Sequence, residues 1–164
     1  DLKGEEPRRA EGTRVEASID AFLPETYVAD PDLKVVLYRR LAETRLPEEV
    51  AAIRDEVADR FGRMPEAARS LFDLRELKLL GEACGAESVR IGKGRVRVRL
   101  ARGSEASKTR VRKLVEDFGE GVSFDAADGL AVEVRPRGRA DPIGTARKLL
   151  LALSASTNIT NSRA

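Results

Sequence analysis

Histidine and tryptophan are absent from this sequence of 164 residues, and cysteine occurs once, as Cys84. Without histidine and with one cysteine, the chain cannot form the usual Cys/His zinc site or a catalytic triad that uses histidine. A single cysteine also excludes an internal disulfide, which fits a reducing compartment, and we predict a cytoplasmic protein. Because Cys84 closes an apolar helical stretch, we interpret it as a buried structural thiol rather than a reactive one.

Long apolar runs and phosphate-binding loops are lacking as well. No run approaches the roughly 18 apolar residues of a membrane span, and no secretory signal is visible. A Gly-x-x-x-x-Gly-Lys-Ser/Thr loop is missing, and Gly92-Lys93-Gly94 fits a hairpin turn better than a phosphate cradle. We therefore predict a chain without catalytic residues, metal, bound cofactor or membrane contact. Since it opens without methionine, we interpret it as a piece of a longer protein.

The charges nearly cancel, with 30 lysines and arginines against 28 acids, yet one segment is strongly basic. Between Arg90 and Lys113 there are ten basic residues and one acid, Glu105. Arg95, Arg97 and Arg99 alternate with apolar residues, so they share one strand face that could follow a phosphate backbone. However, no aromatic residue in the segment offers a base a stacking platform, and arginine stems also cover sheets without a ligand. Nucleic-acid binding through these arginines is our alternative function.

The first half of the chain predicts three helices. Residues 1–13 are highly charged and predict a flexible linker. Apolar and polar residues alternate over 14–22, which predicts a strand, and the proline at position 24 predicts an extended segment over 23–29. Asp30 and Pro31 are a cap and a first-turn proline, and they predict a helix that ends near Thr44. Its apolar stripe consists of Leu33, Val36, Leu37 and Leu41.

The second and third helices meet at a stop and restart around Gly62. One helix begins at Pro47 and ends at Gly62, where positive φ is tolerated, and the next runs from about Pro65 to Cys84. The apolar stripe of the second helix is Val50, Ile53, Val57 and Phe61. A helical wheel places four polar residues roughly opposite this stripe: Glu49, Glu56, Asp59 and Arg63.

Two interpretations of Glu56 and Asp59 follow, since residues three apart share one helix face. In the first, they lie on a solvated face and form local ion pairs with Arg60 or Arg63. In the second, they contact a basic surface and set the orientation and specificity of docking.

The second half predicts strand-strand-helix-strand-strand-helix. Hairpins are expected at residues 87–100 and 121–134, and helices at 104–118 and 143–153. In the first of these helices the residues expected to point inward are Val111, Leu114, Val115 and Phe118. Residues 154–164 predict a frayed tail. The expected fold class is α+β, with an N-terminal three-helix part and a β-β-α-β-β-α part packed into one compact domain over residues 14–153.

Several segments together resemble the C-terminal regulatory domain of bacterial transcription-repair coupling factors. The resemblance extends from about Ile19 to Glu87, and only Ala29 and Lys34 depart mildly from the family pattern. Four segments carry it: Leu23-Pro24-Glu25-Thr26-Tyr27-Val28-Ala29-Asp30, Leu37-Tyr38-Arg39-Arg40-Leu41-Ala42, Glu56-Val57-Ala58-Asp59-Arg60-Phe61-Gly62 with Pro65, and Leu74-Arg75-Glu76-Leu77-Lys78.

This resemblance implies a function that periodicity does not. The parent protein is expected to be an ATP- and Mg-dependent translocase that acts on DNA and stalled RNA polymerase and recruits UvrA. The domain is expected to pack on a UvrB-like module of the same chain, to mask the UvrA-binding surface and to restrain the motor. Glu56 and Asp59 then resemble the acidic part of that interface, which meets arginines of the module. Glu49 and Arg63, on the same outward side, are expected to belong to the interface as well.

Overall fold

A computed structural model of the protein describes residues 12–103 and 108–163, with the backbone alone at 108, 120 and 155–163. In these ranges it contains five α-helices and one five-stranded mixed sheet, so the predicted α+β class is confirmed. The chain divides into two compact units. We call Ser18–Leu79 the helical unit and the described residues outside it the sheet unit. The packing of both halves into one domain stays a prediction.

The helical unit contains α1 (Pro31–Ala42), α2 (Pro47–Phe61) and most of α3 (Glu66–Cys84). α1 begins as predicted, because Asp30 Oδ1 accepts hydrogen bonds from the backbone N–H groups of Asp32 (2.9 Å) and Leu33 (3.4 Å). α2 ends at Gly62, whose φ of +88° confirms the predicted left-handed stop. One apolar core joins the three helices to the preceding segment; among its members are Leu23, Val28, Leu37, Leu41, Val50, Ile53, Val57 and Phe72.

Three predictions for this half are wrong. The strand over 14–22 ends at Ala17. Residues 23–29 are not extended, since the N–H groups of Tyr27 and Val28 both donate to Pro24 O at 2.9 Å. Proline lacks a backbone N–H but keeps its carbonyl, so Pro24 can stand at the first position of this turn and accept both hydrogen bonds. Val36 is 46% exposed because the core meets α1 at Leu37 and Leu41, and the adjacent residue lies about 100° around the helix.

The sheet unit contains strands β1 (Arg14–Ala17), β2 (Ala86–Gly92), β3 (Arg95–Leu100), β4 (Val122–Asp125) and β5 (Ala131–Val134), in the spatial order β1-β2-β3-β5-β4. β1 pairs with β2 in parallel, and the other pairs are antiparallel. The predicted hairpins are confirmed, with turns at Lys93-Gly94 and around Asp128. One face of the sheet is apolar and includes the fully buried Val89, Val96, Val98 and Val132.

The remaining helices of the sheet unit are α4 (Lys108–Phe118) and α5 (Pro142–Arg163), and a 3₁₀ helix follows α4 at Gly119–Gly121. α4 was expected from residue 104, and 104–107 lie outside the described residues. The inward position predicted for Val115 is wrong, since this side chain is 46% exposed while Leu114 is buried. α5 passes the expected end at Leu153 because no glycine or proline follows Gly144 to stop it. Fraying of residues 154–164 stays a prediction.

The segment predicted as a linker differs along its length. Residues 1–11 lie outside the described residues. Thr13 is fully buried, and its hydroxyl donates to Ala86 O at 2.6 Å. This bond fixes the chain at the entry to β1.

Candidate functional site

The outward side of α2 carries the residues that sequence analysis singled out. Val50, Ile53 and Val57 are buried in the core of the helical unit, whereas Glu56 and Asp59 are exposed. The two acids lie one turn apart on a helix that is capped at its first turn and stopped by a glycine. We call Glu56 and Asp59 the acidic pair.

Glu56 is engaged by an arginine of the neighbouring helix. Arg40 Nη1 donates to Glu56 Oε2 at 2.8 Å, and Arg40 Nη2 donates to Glu56 Oε1 at 2.9 Å. This two-pronged geometry is the strongest form of an arginine–carboxylate contact. It lowers the pKa of Glu56 and raises the pKa of Arg40. The hydrogen-bonded partner of Glu56 thus comes from α1, while Arg60, one of the expected local partners, adds a smaller electrostatic attraction that also lowers the pKa of Glu56.

Asp59 differs from Glu56 in its surroundings. Its side chain is exposed, and none of the residues that the structure describes forms a hydrogen bond or an ion pair with it. The carboxylate therefore keeps all its acceptor positions open to solvent or to a docking surface.

Glu49 serves the start of α2. Its Oε1 accepts hydrogen bonds from the backbone N–H groups of Arg45 (2.6 Å) and Leu46 (3.1 Å), which lower the pKa of Glu49. A glutamate three residues after the N-cap position is half of a capping box, so the sequence did contain the signal for this local role. The structure thus gives Glu49 a local capping role, and its expected place at the intramolecular interface stays a prediction.

Arg63 lies beyond the end of α2, so the helical wheel does not apply to it. It is exposed in the turn between Gly62 and α3. Tyr27 fixes this turn, since its hydroxyl donates to Gly62 O at 2.8 Å and its ring lies 5.9 Å from the Phe61 ring. Arg63 therefore follows a firmly held helix end.

Sequence reasoning missed two arginines that connect the helices of the helical unit. One is Arg40, and the other is Arg75 of α3, which binds the C-terminal end of α1. Arg75 Nη2 donates to Ala42 O (2.8 Å) and Thr44 O (2.6 Å), and Arg75 Nε donates to Thr44 Oγ1 (2.9 Å). Both arginines belong to segments that carry the family resemblance, and that was the available signal.

Glu133 organises the basic face of the sheet. It accepts from Arg135 Nε at 3.0 Å and Arg97 Nη1 at 3.3 Å, and Arg95 Nη1 lies 3.8 Å away. Its side chain is only 11% exposed. Burial raises its pKa, but the hydrogen bonds from Arg135 and Arg97 and the charges of Arg135 and Arg95 together outweigh burial, so the pKa of Glu133 is lowered. The buried carboxylate therefore offsets part of the positive charge.

The other arginine contacts on this face are also internal. Arg97 Nη2 lies 3.4 Å from Asp125 Oδ2, and Arg99 Nη1 donates to Asp128 O at 2.6 Å. Each of the three arginines proposed for nucleic-acid contact thus has a partner within its own sheet unit. Their binding to nucleic acid stays a prediction.

Cys84 lies away from any reactive arrangement. It is 8% exposed, and its thiol donates to Gly81 O at 3.5 Å. Burial raises the pKa of this thiol to about 11, so it stays protonated at neutral pH. Among the described residues no acid or cysteine cluster is placed to hold a metal ion, and none of the helices there is long and apolar enough to cross a membrane.

Comparison with known proteins connects this arrangement to one family. Residues 17–111, more than half of the chain, match the TRCF domain. Transcription-repair-coupling factor of Mycobacterium bovis is 41% identical over 85 residues, which are 52% of this chain and 7% of the relative. The Bacillus subtilis factor is 26% identical over 77% of the chain and 11% of the relative, and that of Myxococcus xanthus is 28% identical over 94% and 13%. The chain therefore spans a small part of these relatives' length.

The fold agrees with a solved structure. A crystal structure of the C-terminal domain of transcription-repair coupling factor superposes with a TM-score of 0.73 at 16% sequence identity, over 88% of this chain and 95% of that chain. That domain thus has the same fold as this chain. Together with the match over residues 17–111, this establishes that the chain belongs to the TRCF domain family.

Proposed function

We propose that this chain is a non-catalytic, autoinhibitory interaction domain of a transcription-repair coupling factor. In the parent protein it docks on the UvrB-like module of the same chain, masks the UvrA-binding surface and restrains the DNA translocase. The observation that carries the proposal is the acidic pair, which projects from a capped helix with Asp59 free of any described partner. ATP, Mg²⁺, DNA and RNA polymerase act through the rest of the parent protein.

The physical chemistry of the pair suits a reversible dock. Exposed charges at an interface contribute more to orientation and encounter than to raw affinity. In the proposed function the domain must undock when the parent protein binds its targets. The docked state can therefore be only moderately more stable than the undocked one, and exposed charges provide a contact of that strength. The rigid backbone around the pair also limits the entropy lost on docking.

Charge reversal at the acidic pair tests this function. In the full-length factor, Asp59→Lys alone and together with Glu56→Lys should raise both basal ATPase activity and UvrA affinity, by about tenfold for the double variant if the contact is worth about 1.4 kcal/mol. Repulsion between the new lysines and the arginines of the module would open the closed state. Steady-state ATP hydrolysis and a UvrA binding isotherm measure the two effects.

A matched control is Glu116→Lys, which reverses an exposed helical acid of α4 in the sheet unit. It should leave ATP hydrolysis and UvrA binding at the level of the unaltered protein, and circular dichroism should show that all variants are folded. If the Asp59→Lys and Glu56→Lys variants also remain at that level, the acidic pair is not the docking contact and the proposal fails.

A further inference from the structure

The two acids of the pair are not equivalent, and this difference has a consequence for docking. Glu56 already binds Arg40 through both carboxylate oxygens, at 2.8 and 2.9 Å, whereas Asp59 has no partner among the described residues. The Arg40–Glu56 contact is itself solvent-accessible, with side chains 41% and 52% exposed. An incoming group can therefore reach it.

A basic partner must compete with Arg40 for this carboxylate. A guanidinium group of the partner would either displace Arg40 from the Glu56 carboxylate or bind the acceptor positions of that carboxylate that Arg40 leaves open. In both cases the positive charge of Arg40 repels the incoming cation over a few ångströms. Arg40 thus weakens the electrostatic attraction between Glu56 and a basic partner, whereas Asp59 stays accessible to that partner.

We propose that Arg40 is an internal competitor that sets the strength of the autoinhibitory dock, an inference that rests on the proposed function. While the domain is released, Arg40 occupies Glu56 and stabilises the released state. When the domain docks, basic groups of the partner surface take the place of Arg40 or share the carboxylate with it. Arg40 therefore keeps the closed state weak enough to open.

Neutralising Arg40 and neutralising Glu56 should change UvrA affinity and ATPase activity in opposite directions, and this difference is the test. In the full-length factor, Arg40→Gln should strengthen docking and lower UvrA affinity and basal ATPase activity about two- to fivefold, the range of an exposed ion pair. Glu56→Gln should weaken docking and raise both by a similar factor. Both variants lose the same Arg40–Glu56 contact, so a loss of domain stability alone would move them in the same direction.

Three further measurements separate the outcomes. The Arg40→Gln effect should be smaller in the Glu56→Gln background, where no carboxylate is left to compete for, and it should also shrink at high salt. Arg90→Gln, which breaks the exposed Arg90–Glu16 pair of the sheet unit (2.9 Å), should change neither readout. If Arg40→Gln raises UvrA affinity or leaves it unchanged while Asp59→Lys still raises it, Arg40 is not a competitor although the proposed function stands. If neither Asp59→Lys nor Glu56→Gln changes the readouts, the proposed function fails, and the competitor role with it.

Discussion

At the scale of single residues, Gly81 shows how closely α3 and the entry to β1 approach. A Cβ atom at position 81 would lie 2.7 Å from Thr13 Cγ2 and 3.0 Å from Thr13 Oγ1. Thr13 cannot easily yield, because it is fully buried and its hydroxyl is bound to Ala86 O. The glycine is required here for close packing rather than for backbone freedom.

We therefore expect Gly81→Ala to lower the free energy of unfolding. The overlap should cost about 1–3 kcal/mol, as overpacking usually does, and should exceed the gain of about 1 kcal/mol that alanine brings to a helix interior. Urea denaturation of the domain measures the difference. Adding Thr13→Ser, which removes the closest atom, should recover part of the loss; a Gly81→Ala variant more stable than the parent sequence would contradict the packing role.

Residue roles could be predicted from the sequence where they depend on near neighbours. The stop at Gly62 and the exposure of Glu56 and Asp59 follow from helix periodicity and local backbone chemistry. The partner of Glu56 could not be found in this way, because Arg40 is 16 residues away and reaches it only after α1 and α2 have packed. The capping role of Glu49 was missed because the helical wheel describes only the direction of its side chain.

At the scale of secondary structure, one arginine secures the end of a helix. The last carbonyl groups of a helix have no partner within it, and Arg75 supplies donors to Ala42 O and Thr44 O. A cation at this end also interacts favourably with the helix dipole. Arg75 therefore ties α3 to the end of α1.

Arg75→Lys should destabilise the domain although it keeps the charge. A lysine cannot supply the planar fork that reaches both carbonyls and the Thr44 hydroxyl together, so we expect a loss of about 1–2 kcal/mol in the free energy of unfolding. Chemical denaturation measures it. Arg69→Lys, on an exposed position of the same helix, is the matched control and should change little. Equal stability of the two variants would show that the Arg75 contacts contribute nothing.

Most elements could be predicted, and the failures have identifiable causes. Turn residues and alternation located the hairpins, and proline caps located the helices. The parallel pairing of β1 with β2 could not be predicted, since it joins residues such as Val15 and Val89 that are far apart in the chain. Exposure of Val36 and Val115 was missed because periodicity gives the direction of an apolar stripe but not its width.

At the scale of the whole molecule, the distribution of charge matters more than its total. The basic strand of the sheet unit, β3, forms ion pairs with Glu133 on the adjacent β5 and with Asp125 on β4, one strand further away. Counterion release, the main source of nonspecific nucleic-acid affinity, requires cations that are available to phosphate. The pairing reduces the number available.

We expect the isolated chain to bind neither single- nor double-stranded DNA measurably in a fluorescence anisotropy titration at low salt. A variant with Glu16→Gln and Asp125→Asn, which removes exposed partners of Arg90 and Arg97, should gain weak, salt-sensitive binding. Tight binding by the unaltered chain that weakens on Arg97→Gln and Arg99→Gln would support the alternative function instead.

The fold class could be predicted from the sequence, while the docking role depends on the family resemblance. Three amphipathic helices followed by alternating strands indicate an α+β chain on physical grounds alone. An outward acidic pair, by contrast, is also compatible with a purely solvated surface, because the identities of Glu56 and Asp59 do not indicate which molecule binds them. Under the proposed function, the partner surface belongs to another part of the parent protein.

The burial of Cys84 has a practical consequence for measuring this docking. The one thiol of the chain is shielded and protonated at neutral pH, so maleimide dyes and nitroxide reagents will not modify it readily. A cysteine introduced at the exposed Arg69, outside the proposed interface, would then be the labelled position of this domain. Energy transfer or electron-spin distances from that label could follow opening and closing in real time.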